Sequence, residues 1–103
     1  MLEALDEEWP KELKFRAVDV ADLINNPGDA PHGPRTQRGT TIREFLFPKQ
    51  PSNQPVSAKA IGKRLTHHLG DPVQRGQRTL MLKEFQKLGA PAKDAISYFV
   101  HSP

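Results

Sequence analysis

Residues 56–72, VSAKAIGKRLTHHLGDP, carry start and stop signals at both ends, and no other stretch constrains the fold as tightly. Ser57 is a good N-cap, because its hydroxyl can accept a hydrogen bond from a free N–H of the first turn. Val56 and Ile61 stand at the two positions of a hydrophobic staple. Gly70 sits where a left-handed residue ends a helix, and Pro72 follows it. This spacing predicts a helix over 58–69. At about 100° per residue, Ala58, Ile61, Leu65 and Leu69 fall on one side, while Lys59, Lys63, Arg64, Thr66 and His67 spread over the other. Gly62 lies at the rim. An interior glycine costs about 1 kcal/mol relative to alanine, so either another backbone approaches closely there or the helix tolerates the loss.

The charge is unevenly distributed. Residues 1–30 hold eight acids (Glu3, Asp6, Glu7, Glu8, Glu12, Asp19, Asp22, Asp29) against three bases, a net of −5. Residues 31–103 hold twelve bases against four acids, a net of +8. A basic C-terminal two-thirds is the footprint of a polyanion binder, with an ordinary basic surface as the alternative. The 103 residues, 36 % of them apolar, suit one domain with a modest core. Without cysteine there is neither a disulfide framework nor a thiolate metal site. No apolar run approaches a membrane span, and the acidic start MLEALDEEWPKEL is unlike a signal peptide. These features lead us to expect a soluble, cytoplasmic chain with no membrane partner.

Leu2, Leu5 and Trp9 predict a first helix over 2–13, with Pro10 blurring its end, and Lys14–Ala17 reads as a short extended piece. In DVADLINNPG, Asp19 is a candidate N-cap, Val20, Leu23 and Ile24 share a face, and Asn26-Pro27-Gly28 stops the helix. Residues 27–40, with three prolines and three glycines, read as a loop carrying Arg35 and Arg38. Thr41 and Glu44 then have the spacing of a capping box, Ile42, Phe45 and Leu46 share a face, and Pro48 ends this short helix. PKQPSNQP, residues 48–55, is a stiff connector. At the end of the chain, AISYFVH reads as a strand. Residues 79–88 favour helix by local propensity, but a lone strand leaves its backbone groups unpaired, so RTLMLKEF is taken as its hairpin partner. LKFRA near residue 15 is a candidate third strand.

The resulting order is helix, short strand, helix, helix, capped basic helix and hairpin. It predicts a mainly α fold with a small β-hairpin, of winged-helix type: a helix-turn-helix plus a wing, in one domain spanning 1–103. In such a fold the second helix of the helix-turn-helix enters the major groove, and the wing follows the backbone. Lys59, Lys63, Thr66 and His67 would then face the groove, and Arg64, Arg75, Arg78, Lys87 and Lys93 would meet phosphates, with Lys83 also on the hairpin. The eight- or nine-residue connector is longer than the usual tight turn. The basic face has one arginine and no Asn or Gln, so weak sequence specificity is expected.

VSAKAIGKRLTHHLGDPV followed by a hairpin resembles the small winged-helix domain at the C-terminal end of phage- and plasmid-type primase–helicase replication proteins. The residues that carry the resemblance are Ser57, Ala58, Lys59, Ile61, Gly62, Lys63 and Leu65, then Tyr98, Phe99 and Val100. FRAVDVADLI is similar to that family's short strand and second helix. The resemblance covers most of the chain outside the proline-rich loop. It implies a DNA-binding or partner-docking accessory to an ATPase in the replication of a mobile element, whose partners are DNA, duplex or single-stranded, other replication proteins, or the rest of a longer polypeptide. The chain itself has no P-loop.

Enzyme readings find little support. His67 and His68 project about 100° apart on a helix and make a poor chelating pair; His32 and His101 stand alone, and there is no HExxH or GxSxG. The acids of residues 3–12 are spaced like a solvated helix face. No catalytic residue, cofactor or metal is expected. Phe45, Phe47, Phe85, Tyr98 and Phe99 are spaced like core residues, so no base-stacking platform is expected either. A winged helix that docks protein rather than DNA is the alternative. It would show scattered charge and an exposed apolar patch instead of one positive face.

Overall fold

In the computed structural model, residues 1–50, 54–86, 89 and 96–102 are described. Among them, four helices precede a three-stranded antiparallel sheet: α1 (Leu2–Glu8), α2 (Ala17–Asn25), α3 (Pro34–Leu46) and α4 (Ala58–Thr66), then β1 (Val73–Arg75), β2 (Arg78–Gln86) and β3 (Ile96–His101), in the order β1-β2-β3. The helices cover one face of the sheet. Leu80 and Leu82 of β2 and Tyr98 and Val100 of β3 alternate inward and join Leu5, Leu23, Ile42, Ile61 and Leu65 in a single core.

The hairpin expected at the C-terminal end is present. β2 and β3 pair from Met81↔His101 to Gln86↔Ile96, so tertiary pairing overrides the helical propensity of 79–86. Phe15 adds a bridge on the free side of β3, exchanging backbone hydrogen bonds with Tyr98 at 2.9 and 2.7 Å. The extended reading of Lys14–Ala17 therefore holds at Phe15. β1 was not anticipated. It folds back on β2 through Gly76-Gln77, a two-residue loop with Gly76 at φ +59°, the positive φ that tight hairpin turns require.

Four helix boundaries differ from expectation, the mildest at α4, which ends at Thr66 rather than at 69. α1 stops at Glu8, and Pro10 is followed by Lys11 and Glu12 at φ +58° and +59°. α2 begins earlier than Asp19: Arg16 is the N-cap, and the Asp19 carboxylate reaches back to accept its backbone N–H at 2.7 Å. The largest difference concerns 27–40, where residues 34–40 are not loop but the first half of α3, with Pro34 as its first residue, the position that tolerates proline best. Asp29 caps this helix from the preceding loop, accepting from the Arg35 N–H at 3.0 Å. Thr41 is consequently mid-helix and forms no capping box with Glu44.

The first half of α3 lacks an apolar stripe because it is held by other means. Gly39 lies against the α2 backbone, where an added Cβ would come within 2.9 Å of the Leu23 carbonyl oxygen. Arg35 and Arg38 both donate to Glu8 of α1, at 2.8 and 3.0 Å. Ile42 and Leu46 are buried as expected, but Phe45 is 51 % exposed and does not share their face.

α4 follows its sequence closely. The Ser57 hydroxyl accepts from the Ala60 N–H at 3.1 Å, and Val56 and Ile61 are both buried. Beyond Thr66 the chain tightens into i→i−3 bonds through Leu69. Gly70 (φ +80°) then donates to the Leu82 carbonyl at 2.9 Å, tying the helix end to β2. At Gly62 a Cβ would meet Ala17 Cβ and Tyr98 Oη at 3.8 Å, an ordinary contact. Tolerance rather than close approach therefore explains this glycine. Gly62→Ala is expected to stabilise the domain by up to about 1 kcal/mol. Thermal denaturation should show a Tm higher by about 4–8 °C; a lower Tm would mean the site is tighter than its geometry indicates.

Candidate nucleic-acid interface

The outward side of α4 is exposed and cationic. Lys59, Lys63, Arg64, Thr66 and His67 are all exposed, whereas Ile61 and Leu65 of the same helix are fully buried. Lys59 and Lys63, one turn apart, meet no carboxylate among the described residues. The Arg64 guanidinium lies 5.5 Å from the Phe47 ring centroid, a cation–π contact that limits its motion. Thr66 donates its hydroxyl proton to the Gly62 carbonyl at 2.8 Å, so its oxygen is left as an acceptor. His67 is the C-cap, and the His68 ring centroid lies 4.9 Å from that of Phe45.

Two features near this face were not read from the sequence. Lys49 lines an open groove with Phe47, Pro48, Gln50 and Arg64, which places a further cation beside Arg64. Asn25, at the end of α2, clamps the entry to α4: its amide donates to the Val56 carbonyl at 2.8 Å and accepts the Val56 N–H at 3.0 Å. An asparagine side chain can mimic a strand partner in this way because it carries one donor and one acceptor side by side. In the sequence, no signal singles out Asn25, which precedes the Asn26-Pro27-Gly28 stop.

The hairpin residues expected to meet phosphate fare differently. The Arg78 guanidinium is directed to Asp6 of α1, at 3.4 Å, and to the Ser102 hydroxyl, so it is not grouped with the α4 cations. Asp6 belongs to the acidic helix, 72 residues away in sequence. Arg75 ends β1 opposite Arg78, and its side chain lies outside the described part. Lys87 and Lys93 lie outside the described residues.

The acids of α1 neutralise a specific set of bases. Glu8 is shared by Arg35 and Arg38, Glu7 approaches Arg38 at 4.0 Å, and Asp6 approaches Arg78. Lys49, Lys59, Lys63 and Arg64 are not among the bases these acids hold, and all four are exposed. Among the described residues, no group of three His, Asp or Glu side chains is placed to hold a metal ion. None of the helices is long and apolar enough to cross a membrane among those residues. Comparison of the chain with protein-family models, with curated proteins and with solved structures finds no match.

Proposed function

We propose that the chain is a winged-helix domain that binds duplex DNA through α4. The observation that carries this reading is the exposed row of Lys59 and Lys63 with Arg64 and His67, which meets no carboxylate among the described residues, on a helix whose other side is locked into the core. The element order supports it: a helix, the Phe15 pairing segment, α2, α3, α4, then the β2–β3 hairpin, with Phe15 flanking β3. Four helices precede the sheet, one more than the simplest form of that fold has. The similarity of Ser57–Leu65 to primase–helicase winged helices favours a role accessory to the replication of a mobile element. The chain acts by binding rather than by catalysis in this reading.

Because the row is mostly lysine, affinity comes from phosphates and little from base edges. The test is the salt dependence of duplex binding. If Lys59, Lys63 and Arg64 each neutralise one phosphate, log K falls against log salt with a slope of about −2.7, at about −0.9 per phosphate on B-DNA. Fluorescence anisotropy with a labelled duplex across a salt series measures it, and a slope near zero would refute an interface built on these cations.

Protein docking has one observation in its favour, an exposed apolar patch on the far side of the sheet, away from α4.

A further inference from the structure

The face of the sheet turned away from the helices carries aromatic rings among polar side chains. By the strand register, Met81, Lys83 and Phe85 of β2 and Ser97, Phe99 and His101 of β3 point outward together. Phe85 is 41 % exposed, and Phe99 and Met81 are half-buried. Lys83 stands directly across from Phe99 and has no ionic partner among the described residues. Lys14, from the segment beside β3, holds its ammonium 4.3 Å from the centroid of the Phe85 ring. Glu12 is engaged by the His101 ring, and Glu84, between Lys83 and Phe85 in β2, alternates to the opposite side with Tyr98.

We propose that this outward face is a stacking platform for single-stranded nucleic acid, on which Phe85 and Phe99 each take a base and Lys14 and Lys83 take phosphates. Phe85 and Phe99 are diagonal neighbours across the β2–β3 pair, a spacing of about 7–8 Å. That is wide enough for two bases that no longer stack on each other. A ring on a flat, half-exposed sheet offers its face to any base, so recognition is tolerant of sequence. A duplex cannot use it, because its base faces are already stacked. Lys14 now covers the ring face a base would take. Its long flexible arm lets the ammonium exchange that ring for a phosphate as the base arrives. The free charge beside the rings is lysine, which favours a polyanion over an acid-seeking or neutral protein partner. This platform lies on a different surface from α4 and does not depend on the duplex reading.

The probe is a labelled oligothymidylate, with anisotropy read at low salt, alongside a labelled duplex. Wild-type protein is expected to bind the single strand. Replacing both rings, Phe85→Ala with Phe99→Ala, should weaken that binding by roughly 5- to 160-fold per ring and leave duplex affinity in place. Phe85→Leu with Phe99→Leu keeps the apolar area and the fold but removes the aromatic faces, and should weaken single-strand binding as well. Lys14→Ala with Lys83→Ala should reduce the salt slope by about 1.4, at about 0.7 per phosphate on single strands. The proposal is overturned if wild-type protein does not bind oligothymidylate, or if the leucine variant binds it as tightly as wild type. The latter result would make the face an apolar protein-docking surface. Unchanged duplex binding by charge-reversed variants of α4 would refute the α4 reading and leave this one standing.

Discussion

Charge reversal at Lys59 and Lys63 together abolishes retention of duplex DNA while the domain stays folded. Both side chains are exposed and neither pairs with a carboxylate among the described residues, so the Glu variants break no ion pair. Position 59 is in the first turn of α4, where a glutamate is favoured by the helix dipole and offsets any small penalty at position 63. Two changes of two charges each take the chain from +3 to −1. The loss on DNA combines two missing phosphate contacts with two new repulsions. We expect it to exceed about 100-fold at 50 mM salt. A gel shift at two salt concentrations measures the loss, and circular dichroism confirms the fold. Unchanged duplex binding by the folded double variant would sink the α4 assignment.

Gly39→Val should be the most damaging single change on the helical side. A Cβ at this position would come within 2.9 Å of the Leu23 carbonyl oxygen and 3.4 Å of Ile24 Cα, and both are α2 backbone atoms. Backbone cannot swing aside as a flexible side chain can, so α2 and α3 must separate. Overpacking of this kind costs about 1–3 kcal/mol or more, from a total of about 5–15 kcal/mol for a domain of ordinary stability. At about 4–8 °C per kcal/mol in a domain of this size, a Tm drop of 10 °C or more is expected. Gly62→Ala on α4 should move the other way. A Tm unaffected by Gly39→Val would mean that the two helices do not cross at that residue.

α4 was legible almost residue by residue because its signals are local: a hydroxyl cap, a staple, a stripe and a glycine stop lie within seventeen residues of sequence. The β2–β3 hairpin was legible for a different reason. A strand needs a partner, and few segments could supply one. The first half of α3 was not legible, because PRTQRGT carries no apolar periodicity and is stabilised by Glu8, Asp29 and a backbone crossing that lie elsewhere in the sequence. The same blindness affected Arg78. Charge counting assigned it to phosphate, but β1 and β2 bring it to Asp6. Phe45 and Phe85 misled in the opposite sense. Their spacing placed them in the core, yet the helix phase and strand register leave them 51 % and 41 % exposed. A long-range pair or an outward phase leaves little trace in one sequence.

The two-point hydrogen bond between Asn25 and Val56 separates the placement of α4 from the path that leads to it. The entry to the helix is fixed from α2, thirty-one residues upstream, rather than by the geometry of the chain just before it. The stretch between Phe47 and Val56 can therefore be lengthened, shortened or rewritten with little effect on where the lysines stand, because the entropy of closing such a loop grows only as the logarithm of its length. Variation among related chains should accumulate there, while position 25 is held to a residue that can both donate and accept.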